Sequence, residues 1–329
     1  MNQLPRRVVV TDAGELLAPG IELLRAAGVD VEVLPEGTPA AEAVAWAADA
    51  PVLIVGLMRI GSDEIARLGS TRLIVRAGIG VDVIDVAAAT SAGIWVANVP
   101  DYCVDEVADH ALLLLLAASR RLVELRASWV DGWLAAGRVP PVHRVRGRRL
   151  GVVGLGRIGR AVAQRAGAFG WEVVGHDPYV DAAVLDAAGV TSVGLDELFA
   201  TADAVTLHCP LTDETRGLVG RERLATIRPG LILVNTSRGG LIDLDALDEA
   251  IADGRVAAAG LDVLEDEPSP DLARGLLHRP EVVVTPHLAW YSLEARRDLG
   301  LKTGEEALRL LNGERPRNLV NPAARTDLD

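Results

Sequence analysis

The sequence predicts an α/β protein with two doubly wound parallel sheets, and three observations support this. Short apolar runs alternate with segments of helical composition, and this alternation occurs in two successive series. Half of the residues are hydrophobic but only 3% are aromatic, which favours closely packed helix and sheet layers of Ala, Val, Leu and Gly. A length of 329 residues favours two domains, since a domain usually has about 100–200 residues.

The first series of predicted strands occupies the first third of the chain. Its members are residues 8–10, 31–34, 52–55, 73–75 and 94–96. The intervening segments, rich in Ala, Glu, Leu and Arg, are predicted helices, so the series is typical of βαβ units.

The second series begins after a predicted helix over residues 105–127 and a loop rich in Gly, Pro and Arg over residues 132–147. Six predicted strands follow, over residues 150–153, 171–175, 204–207, 231–234, 257–261 and 282–285. Six strands with intervening helices fit one complete dinucleotide-binding, Rossmann-like fold. Residues 293–311 are one more predicted helix, which could return to the first domain.

Charge and cysteine content exclude several classes of partner. A net charge of −13 disfavours nucleic acid and anionic membranes, so an anionic substrate needs local cationic groups. Cys103 and Cys209 form neither a disulfide scaffold nor a metal framework, and we expect two reduced thiols and no metal. The N-terminus has no long apolar stretch of the signal-peptide type, and the apolar run 111–118 is too short to span a bilayer. We therefore expect a cytoplasmic protein.

A glycine-rich motif marks the predicted cofactor site. Gly154-Leu155-Gly156-Arg157-Ile158-Gly159 is a G-x-G-x-x-G between a predicted strand and a predicted helix over residues 160–169. In this placement Gly154 permits a tight turn, Gly156 lets a pyrophosphate approach the backbone, and Gly159 lets helix and strand pack closely.

Asp177 lies 18 residues after Gly159, at the end of the next predicted strand. An acid there accepts hydrogen bonds from the ribose hydroxyls of the adenosine and repels the extra phosphate of NADP. We therefore expect NAD as the cofactor. The alternatives are a turn-forming Asp before Pro178, or an Arg close in the fold that would accept NADP.

Four further segments narrow the function. They are residues 75–82 (Val-Arg-Ala-Gly-Ile-Gly-Val-Asp), 235–240 (Asn-Thr-Ser-Arg-Gly-Gly), 260–268 (Gly-Leu-Asp-Val-Leu-Glu-Asp-Glu-Pro) and 285–291 (Thr-Pro-His-Leu-Ala-Trp-Tyr). With the glycine-rich motif, they make the chain resemble the D-isomer-specific 2-hydroxyacid dehydrogenases over nearly its whole length. The resemblance implies hydride transfer between NAD and a small D-2-hydroxy or 2-oxo acid.

The resemblance also implies three catalytic residues. His287 would act as general acid in reduction and general base in oxidation. Glu267 would orient the imidazole and favour its protonated form, while Arg238 would bind the substrate carboxylate and polarise the carbonyl. Taken singly, each has a plain structural alternative: a structural His after Pro, a solvated Glu and a solvated Arg.

Further roles follow from the same resemblance. Arg76, Ile79 and Gly80 would face the substrate, and His287 would contact both substrate and cofactor. The remaining cofactor contacts implied are Thr236, Ser237, Arg238 and Asp262 near the nicotinamide, and His208, Cys209 and Pro210 near the adenosine, besides Arg157 and Ile158.

The implied domains are discontinuous. Residues 1–99 with 289–329 would form the substrate domain and residues 100–288 the NAD-binding domain, with an active-site cleft between them that closes for catalysis. A homodimer is expected on the same grounds.

Two departures refine the resemblance. The family often has Asn at the position of Val83, and the effect of this difference is expected to be local. Residues 98–110 and 287–292 are similar to the branch that contains the C-terminal-binding-protein corepressors and their bacterial relatives. In that branch a Trp lines the substrate pocket, and Trp290 occupies its place; the alternative is a Trp buried at the domain junction. We expect no regulatory domain, which disfavours serine-controlled phosphoglycerate oxidation.

Two other functions stay open on the sequence. One is an NAD(H)-sensing, corepressor-like binding protein, and the other is a dehydrogenase of a phosphite- or phosphonate-type anion, which Arg76 and Arg238 could hold.

Overall fold

The structure is a computed structural model that describes residues 4–128, 141–265, 267 and 275–324. The chain divides into two compact units, here called the first unit (Met1–Cys103 with Ser292–Asp329) and the second unit (Val104–Tyr291). Asp266 and Pro268, which belong to one of the family-like segments, lie outside the described residues.

The first unit contains a parallel sheet flanked by helices. Its elements are β1 (Arg7–Val10), α1 (Ala18–Ala26), β2 (Asp30–Val33), α2 (Ala40–Trp46), β3 (Val52–Val55), α3 (Ser62–Ile65), β4 (Leu73–Arg76), α4 (Val86–Ser91), β5 (Trp95–Ala97) and a C-terminal helix (Leu293–Leu311). In the described part of this unit the strand order is β2-β1-β3-β4-β5, and all these neighbours are parallel. Val8 and Val10 pack into one buried cluster and Val9 into another, as alternation along a strand with two covered faces requires.

The C-terminal helix has the predicted bounds and packs against α1 in the first unit. The Oγ of Ser292 caps it by accepting a hydrogen bond from the Ala295 N–H at 2.8 Å. The two helices approach closely at glycines. A Cβ added to Gly20 would overlap the Gly300 carbonyl oxygen and lie 3.2 Å from the Gly304 nitrogen.

This close approach predicts that the Gly20→Ala variant is less stable. We expect its free energy of unfolding to fall by about 1–3 kcal/mol because the methyl group must push the helices apart. Gly167→Ala is the matched control, since a Cβ at that helical glycine meets nothing within 4 Å. That change should stabilise the protein by about 0.5–1 kcal/mol. Urea unfolding measures both, and equal midpoints for the two variants would contradict the close contact.

The second unit contains the larger sheet. Its elements are α5 (Val104–Ser119), α6 (Leu122–Ser128), β6 (Arg149–Val153), α7 (Arg157–Ala168), β7 (Glu172–His176), α8 (Ala182–Ala187), β8 (Thr191–Ser192), α9 (Leu195–Thr201), β9 (Ala204–Leu207), α10 (Arg221–Thr226), β10 (Leu231–Asn235), α11 (Leu244–Ala252), β11 (Val256–Leu261) and β12 (Val282–Val284). Among the residues described, seven parallel strands have the order β12-β11-β10-β9-β6-β7-β8. This is the doubly wound order in which the direction of winding reverses between β6 and β9.

The doubly wound, parallel prediction is confirmed for both units, with local corrections. All six strands predicted for the second series are present. The sequence missed β8, because Thr191 and Ser192 are both exposed and form no apolar run. Helix α7 begins at Arg157 instead of residue 160, since Gly156 already has the extended conformation of an N-cap.

The prediction of one helix over residues 105–127 was wrong. The chain breaks between α5 and α6, where Arg121 adopts a left-handed conformation with φ +53°. The Arg121 guanidinium donates to the Ala257 carbonyl and pairs with Glu124 at 3.4 Å. These contacts hold the break, and Ala257 is distant in sequence. Of the predicted loop 132–147, residues 132–140 lie outside the described part of the chain.

Across the residues that the structure describes, none of the helices combines the length and apolarity needed to cross a membrane.

Candidate cofactor and catalytic site

The glycine-rich motif lies at the point where the second sheet reverses its winding. Gly154 directly follows β6 and has φ +86°. A Cβ there would lie 2.5 Å from the Cys209 nitrogen and 2.6 Å from the His208 carbonyl carbon, which follow β9. A Cβ on Gly159 would overlap the Gly154 carbonyl oxygen. Only glycine fits at either position, and ligands bind at the carboxyl ends of strands at such a reversal.

The turn after Gly154 leaves room for a phosphate. Gly156 is exposed, and a Cβ built on it meets nothing within 4 Å. Helix α7 starts there without a side-chain cap, so the positive end of its dipole is available to an anion. Arg157 is exposed, whereas Ile158 is partly buried and packs on the cluster of Ala108, Ala111 and Val162.

Asp177 follows β7 and is tied to the same turn. Its Oδ2 accepts a hydrogen bond from the Leu155 N–H at 2.7 Å, and its Oδ1 accepts one from the Tyr179 N–H at 2.9 Å. A carboxylate has about four acceptor positions, so both oxygens retain capacity for a ribose hydroxyl. The structure therefore holds an acid next to the glycine-rich turn, as recognition of an NAD ribose requires.

Asp177→Asn removes this negative charge while keeping the shape of the side chain. We expect the Kd of NADH to rise about tenfold or more, because a hydrogen bond to a charged group is lost, and discrimination against NADPH to fall. Tryptophan fluorescence titrations with both nucleotides measure the two Kd values. Asp181→Asn is the control, since Asp181 is exposed and caps no N–H with its side chain. Unchanged NADH affinity in Asp177→Asn would rule out the ribose contact.

The segment after β9 contains two side chains whose pKa values are shifted by burial. Burial lowers the pKa of His208 to about 4, so the ring is neutral at physiological pH, and its Nε2 is 2.9 Å from Thr206 Oγ1. Burial raises the pKa of the Cys209 thiol to about 11, which keeps it protonated and poorly nucleophilic. Pro210 is exposed.

The neutral His208 predicts an acid-dependent loss of stability. Its pKa is about 4 in the folded protein against 6.5 for the free group, so between these values the unfolded chain binds a proton that the folded one does not. The free energy of unfolding should therefore fall as the pH drops from 6.5 to 4. The loss is at most about 3 kcal/mol, and less because the ring keeps some solvent contact.

Urea unfolding at neutral and acidic pH measures this loss. His208→Asn, which cannot titrate there, should lose less stability on acidification than the native chain. His143→Asn, at an exposed histidine, should behave like the native chain. An equal pH dependence for all three proteins would contradict the buried neutral ring.

The loop after β10 presents Arg238. Asn235 organises it, because its Nδ2 donates to the Arg238 carbonyl at 2.8 Å and its Oδ1 accepts from the Ser237 N–H at 3.0 Å. Ser237 Oγ donates to the Cys209 carbonyl at 2.9 Å, which ties the loop to the segment after β9. Thr236 is buried, and its Oγ1 has no hydrogen-bond partner among the described atoms. An orphaned hydroxyl at this edge of the sheet suits a polar ligand.

His287 and Glu267 form a direct hydrogen bond between Nδ1 and Oε2. Burial alone would raise the pKa of Glu267, but the hydrogen bond to His287, the charge of that ring, the Leu264 N–H and the charge of Arg238 together lower it. Glu267 is therefore an anion at neutral pH. Its Oε1 accepts from the Leu264 N–H at 2.7 Å, so the carboxylate is held while His287 Nε2 stays available.

His287 lies in a turn held by Asp262. The Asp262 carbonyl accepts from the His287 N–H at 2.8 Å. The side chain of Asp262 is buried and accepts hydrogen bonds from residues of the same turn, including Thr285 Oγ1 at 2.6 Å. The family resemblance implied a position for Asp262 near the nicotinamide but not this structural use. It also assigned no role to Asn235, although an Asn at the exact end of a strand, just before Thr-Ser-Arg, could have indicated one.

The remaining predicted substrate residues are placed as follows. In the second unit, Trp290 is partly buried and meets Tyr291 edge to face, with ring centroids 5.6 Å apart. In the first unit, Arg76 ends β4 and its guanidinium donates to the Ala77 carbonyl. Asn98 Nδ2 donates to the Ile79 carbonyl at 2.6 Å, which holds the loop that continues to Gly80.

The second unit thus brings together three groups of predicted residues: the glycine-rich turn with Asp177, the 208–210 and 235–238 segments, and Glu267 with His287. The open turn at Gly156, the acid beside it and the orphaned hydroxyl of Thr236 together fit a dinucleotide. Among the described residues, no group of three or more His, Cys, Asp or Glu side chains is arranged to hold a metal ion.

Comparison with known proteins agrees with this fit. Residues 112–289 match the family profile described as D-isomer specific 2-hydroxyacid dehydrogenase, NAD binding domain. The chain is 40% identical over 317 residues to a D-3-phosphoglycerate dehydrogenase of Methanocaldococcus jannaschii, covering 96% of this chain and 59% of that protein. The chain therefore spans less than two thirds of the length of that relative.

Two other similarities extend over nearly the whole of the proteins matched. A hydroxypyruvate reductase of Thermotoga maritima is 38% identical over 86% of this chain and 92% of its own length. The crystal structure of D-lactate dehydrogenase from Aquifex aeolicus, in complex with NAD and lactic acid, superposes with a TM-score of 0.84 at 26% identity, covering 95% of this chain and 98% of that one. The chain belongs to the D-isomer specific 2-hydroxyacid dehydrogenase family.

Proposed function

We propose that this chain is an NAD-dependent oxidoreductase that interconverts a small D-2-hydroxy acid and its 2-oxo acid. The observation that carries the proposal is the Glu267–His287 hydrogen bond in the unit that contains the dinucleotide turn, with Arg238 close enough for its charge to act on Glu267. A histidine backed by a carboxylate is an acid/base catalyst, and an adjacent guanidinium suits a carboxylate ligand.

Each residue has a defined task in this proposal. When bound, NAD(H) supplies or accepts the hydride through its nicotinamide ring. In reduction, Nε2 of His287 donates a proton to the substrate carbonyl oxygen, and Glu267 stabilises the positive charge that the ring carries beforehand. Arg238 binds the carboxylate and polarises the carbonyl. In oxidation His287 takes the proton back.

The other predicted contacts belong to the same proposal. Asp177 binds the adenosine ribose and selects NAD, while the 154–159 turn binds the pyrophosphate. Arg76, Ile79 and Gly80 contribute to binding of the acid, and Trp290 limits its size. We further propose a homodimer, which the family resemblance implies, and a cytoplasmic location, which the two free cysteines favour.

Turnover assays with the purified chain test the proposal. NADH and a panel of 2-oxo acids (glyoxylate, pyruvate, hydroxypyruvate and longer apolar acids) are mixed with the protein, and absorbance at 340 nm is followed. The reverse reaction uses NAD with separate D- and L-2-hydroxy acids. We expect NADH oxidation with at least one oxo acid and reverse activity with the D-isomer alone.

Other outcomes would identify the alternatives. NADH binding without turnover of any acid would favour the corepressor-like binding protein and overturn the proposal. NAD reduction by phosphite with no activity on 2-hydroxy acids would favour the inorganic-anion dehydrogenase instead.

A further inference from the structure

Three hydrogen-bonded side chains, those of His110, Thr285 and Asp262, form a line next to the turn that contains His287. His110 Nε2, on α5, is 2.9 Å from Thr285 Oγ1, which donates to Asp262 Oδ1 at 2.6 Å. Because carboxylate oxygens only accept, the single hydroxyl proton of Thr285 is used on Asp262. Thr285 must then accept from His110, which fixes the proton of that ring on Nε2.

Asp262 connects this line of hydrogen bonds to the turn itself. Its Oδ1 also accepts from the Leu288 N–H at 3.0 Å, and its Oδ2 accepts from the Ala289 N–H at 2.9 Å. With the His287 N–H on its carbonyl, Asp262 thus anchors three successive amides. Its carboxylate has no solvent exposure, so these protein donors replace water as its hydrogen-bond partners.

The turn needs such an anchor. His287 has φ +54°, a left-handed conformation that a non-glycine residue adopts only when its surroundings hold it there. If the anchor loosens, the backbone can relax and the imidazole leaves the geometry that proton transfer requires. Helix α5 packs against β11 and β12, the strands that end just before Asp262 and Thr285, so His110 ties this turn to a long helix.

We propose that His110 and Thr285 are positioning residues that act through Asp262 to hold the left-handed turn of His287. The proposal rests on the acid/base role proposed for His287, and it adds two residues to which that proposal assigns no role. Neither residue needs to touch substrate or cofactor.

Matched pairs of variants test the hydrogen-bonded line. Thr285→Val keeps the shape but removes the hydroxyl, whereas Thr285→Ser keeps the hydroxyl. His110→Leu removes the donor, whereas His110→Gln keeps an N–H donor at similar reach. We expect Thr285→Val and His110→Leu to lower kcat about 10- to 100-fold, as the loss of a hydrogen bond in a charged network implies. The Kd of NADH and the KM of the oxo acid should change little in these two variants. Thr285→Ser and His110→Gln should keep most of the native kcat.

Two kinetic results would overturn the proposal. One is an equal loss of kcat in Thr285→Val and Thr285→Ser, and in His110→Leu and His110→Gln. The other is a change in the Kd of NADH with kcat unaltered.

Amide hydrogen exchange gives a readout that does not depend on activity. By NMR, the amides of Leu288 and Ala289 should exchange faster in Thr285→Val and His110→Leu than in the native chain, while the buried amide of Leu233 in β10 should be unaffected. Unchanged exchange at Leu288 and Ala289 would overturn the proposal that His110 and Thr285 hold this turn through Asp262. If the native chain turns over none of the oxo acids, the proposed function fails, and the exchange result still decides whether the anchor exists.

Discussion

The His287→Asn variant is expected to lose kcat by a factor of about 100 to 10,000 in both directions of the reaction. The amide of Asn can accept or donate a hydrogen bond but cannot deliver a proton to the carbonyl oxygen. Asn is preferable to Ala here because it tolerates the left-handed conformation at φ +54°, so the turn should persist. Stopped-flow or steady-state measurement of NADH oxidation gives kcat, and fluorescence titration gives the Kd of NADH, which should stay within a few-fold.

Two controls separate chemistry from general damage. His143→Asn alters an exposed histidine and should leave kcat unchanged. Glu267→Gln keeps a polar partner for the ring but removes its charge, so it should lower kcat less than His287→Asn does. Retention of more than about a tenth of native kcat in His287→Asn would refute the acid/base assignment.

The Arg238→Lys variant is expected to reduce kcat/KM for the oxo acid by about 100-fold or more, although the positive charge is kept. A lysine cannot supply the planar pair of N–H donors that a carboxylate accepts, nor reach the carbonyl at the same time. The loss should appear in both KM and kcat, because the guanidinium acts on the bound acid and on the charge that develops at its carbonyl.

Arg221→Lys is the matched control for Arg238→Lys. Arg221 is exposed and pairs with Glu249 on the surface, so its replacement should leave kcat/KM unchanged. A full set of initial rates against acid concentration measures both variants. If Arg238→Lys raised the Kd of NADH and left kcat/KM for the acid intact, Arg238 would bind the cofactor and not the substrate.

Local sequence patterns determined most of the fold. Apolar runs such as residues 52–55, alternating with helical segments, indicated buried strands, and the C-terminal helix begins and ends where its pattern indicated. Where the prediction of one helix over residues 105–127 was wrong, a distant contact decided the outcome. The break between α5 and α6 depends on Arg121 reaching the Ala257 carbonyl, and no pattern within residues 105–127 contains that information.

The candidate site likewise has a part that was predicted from the sequence and a part that was not. Motif spacing and family resemblance predicted Gly154, Asp177, Arg238, Glu267 and His287, and the structure joins Glu267 to His287 and Asp177 to the glycine-rich turn. The line from His110 through Thr285 to Asp262 spans residues 110 to 285 and was not predicted.

The sequence by itself therefore determined the α/β class and the dinucleotide turn, because these depend on periodicity and short spacings. The residues for acid/base chemistry came from the resemblance to a family. Only the tertiary structure decided that His287 lies in a left-handed turn, that a buried carboxylate anchors this turn, and that α5 contributes to holding it. The physical reason is that hydrogen bonds form between groups that are close in space, and the chain must fold before residues 175 positions apart can meet.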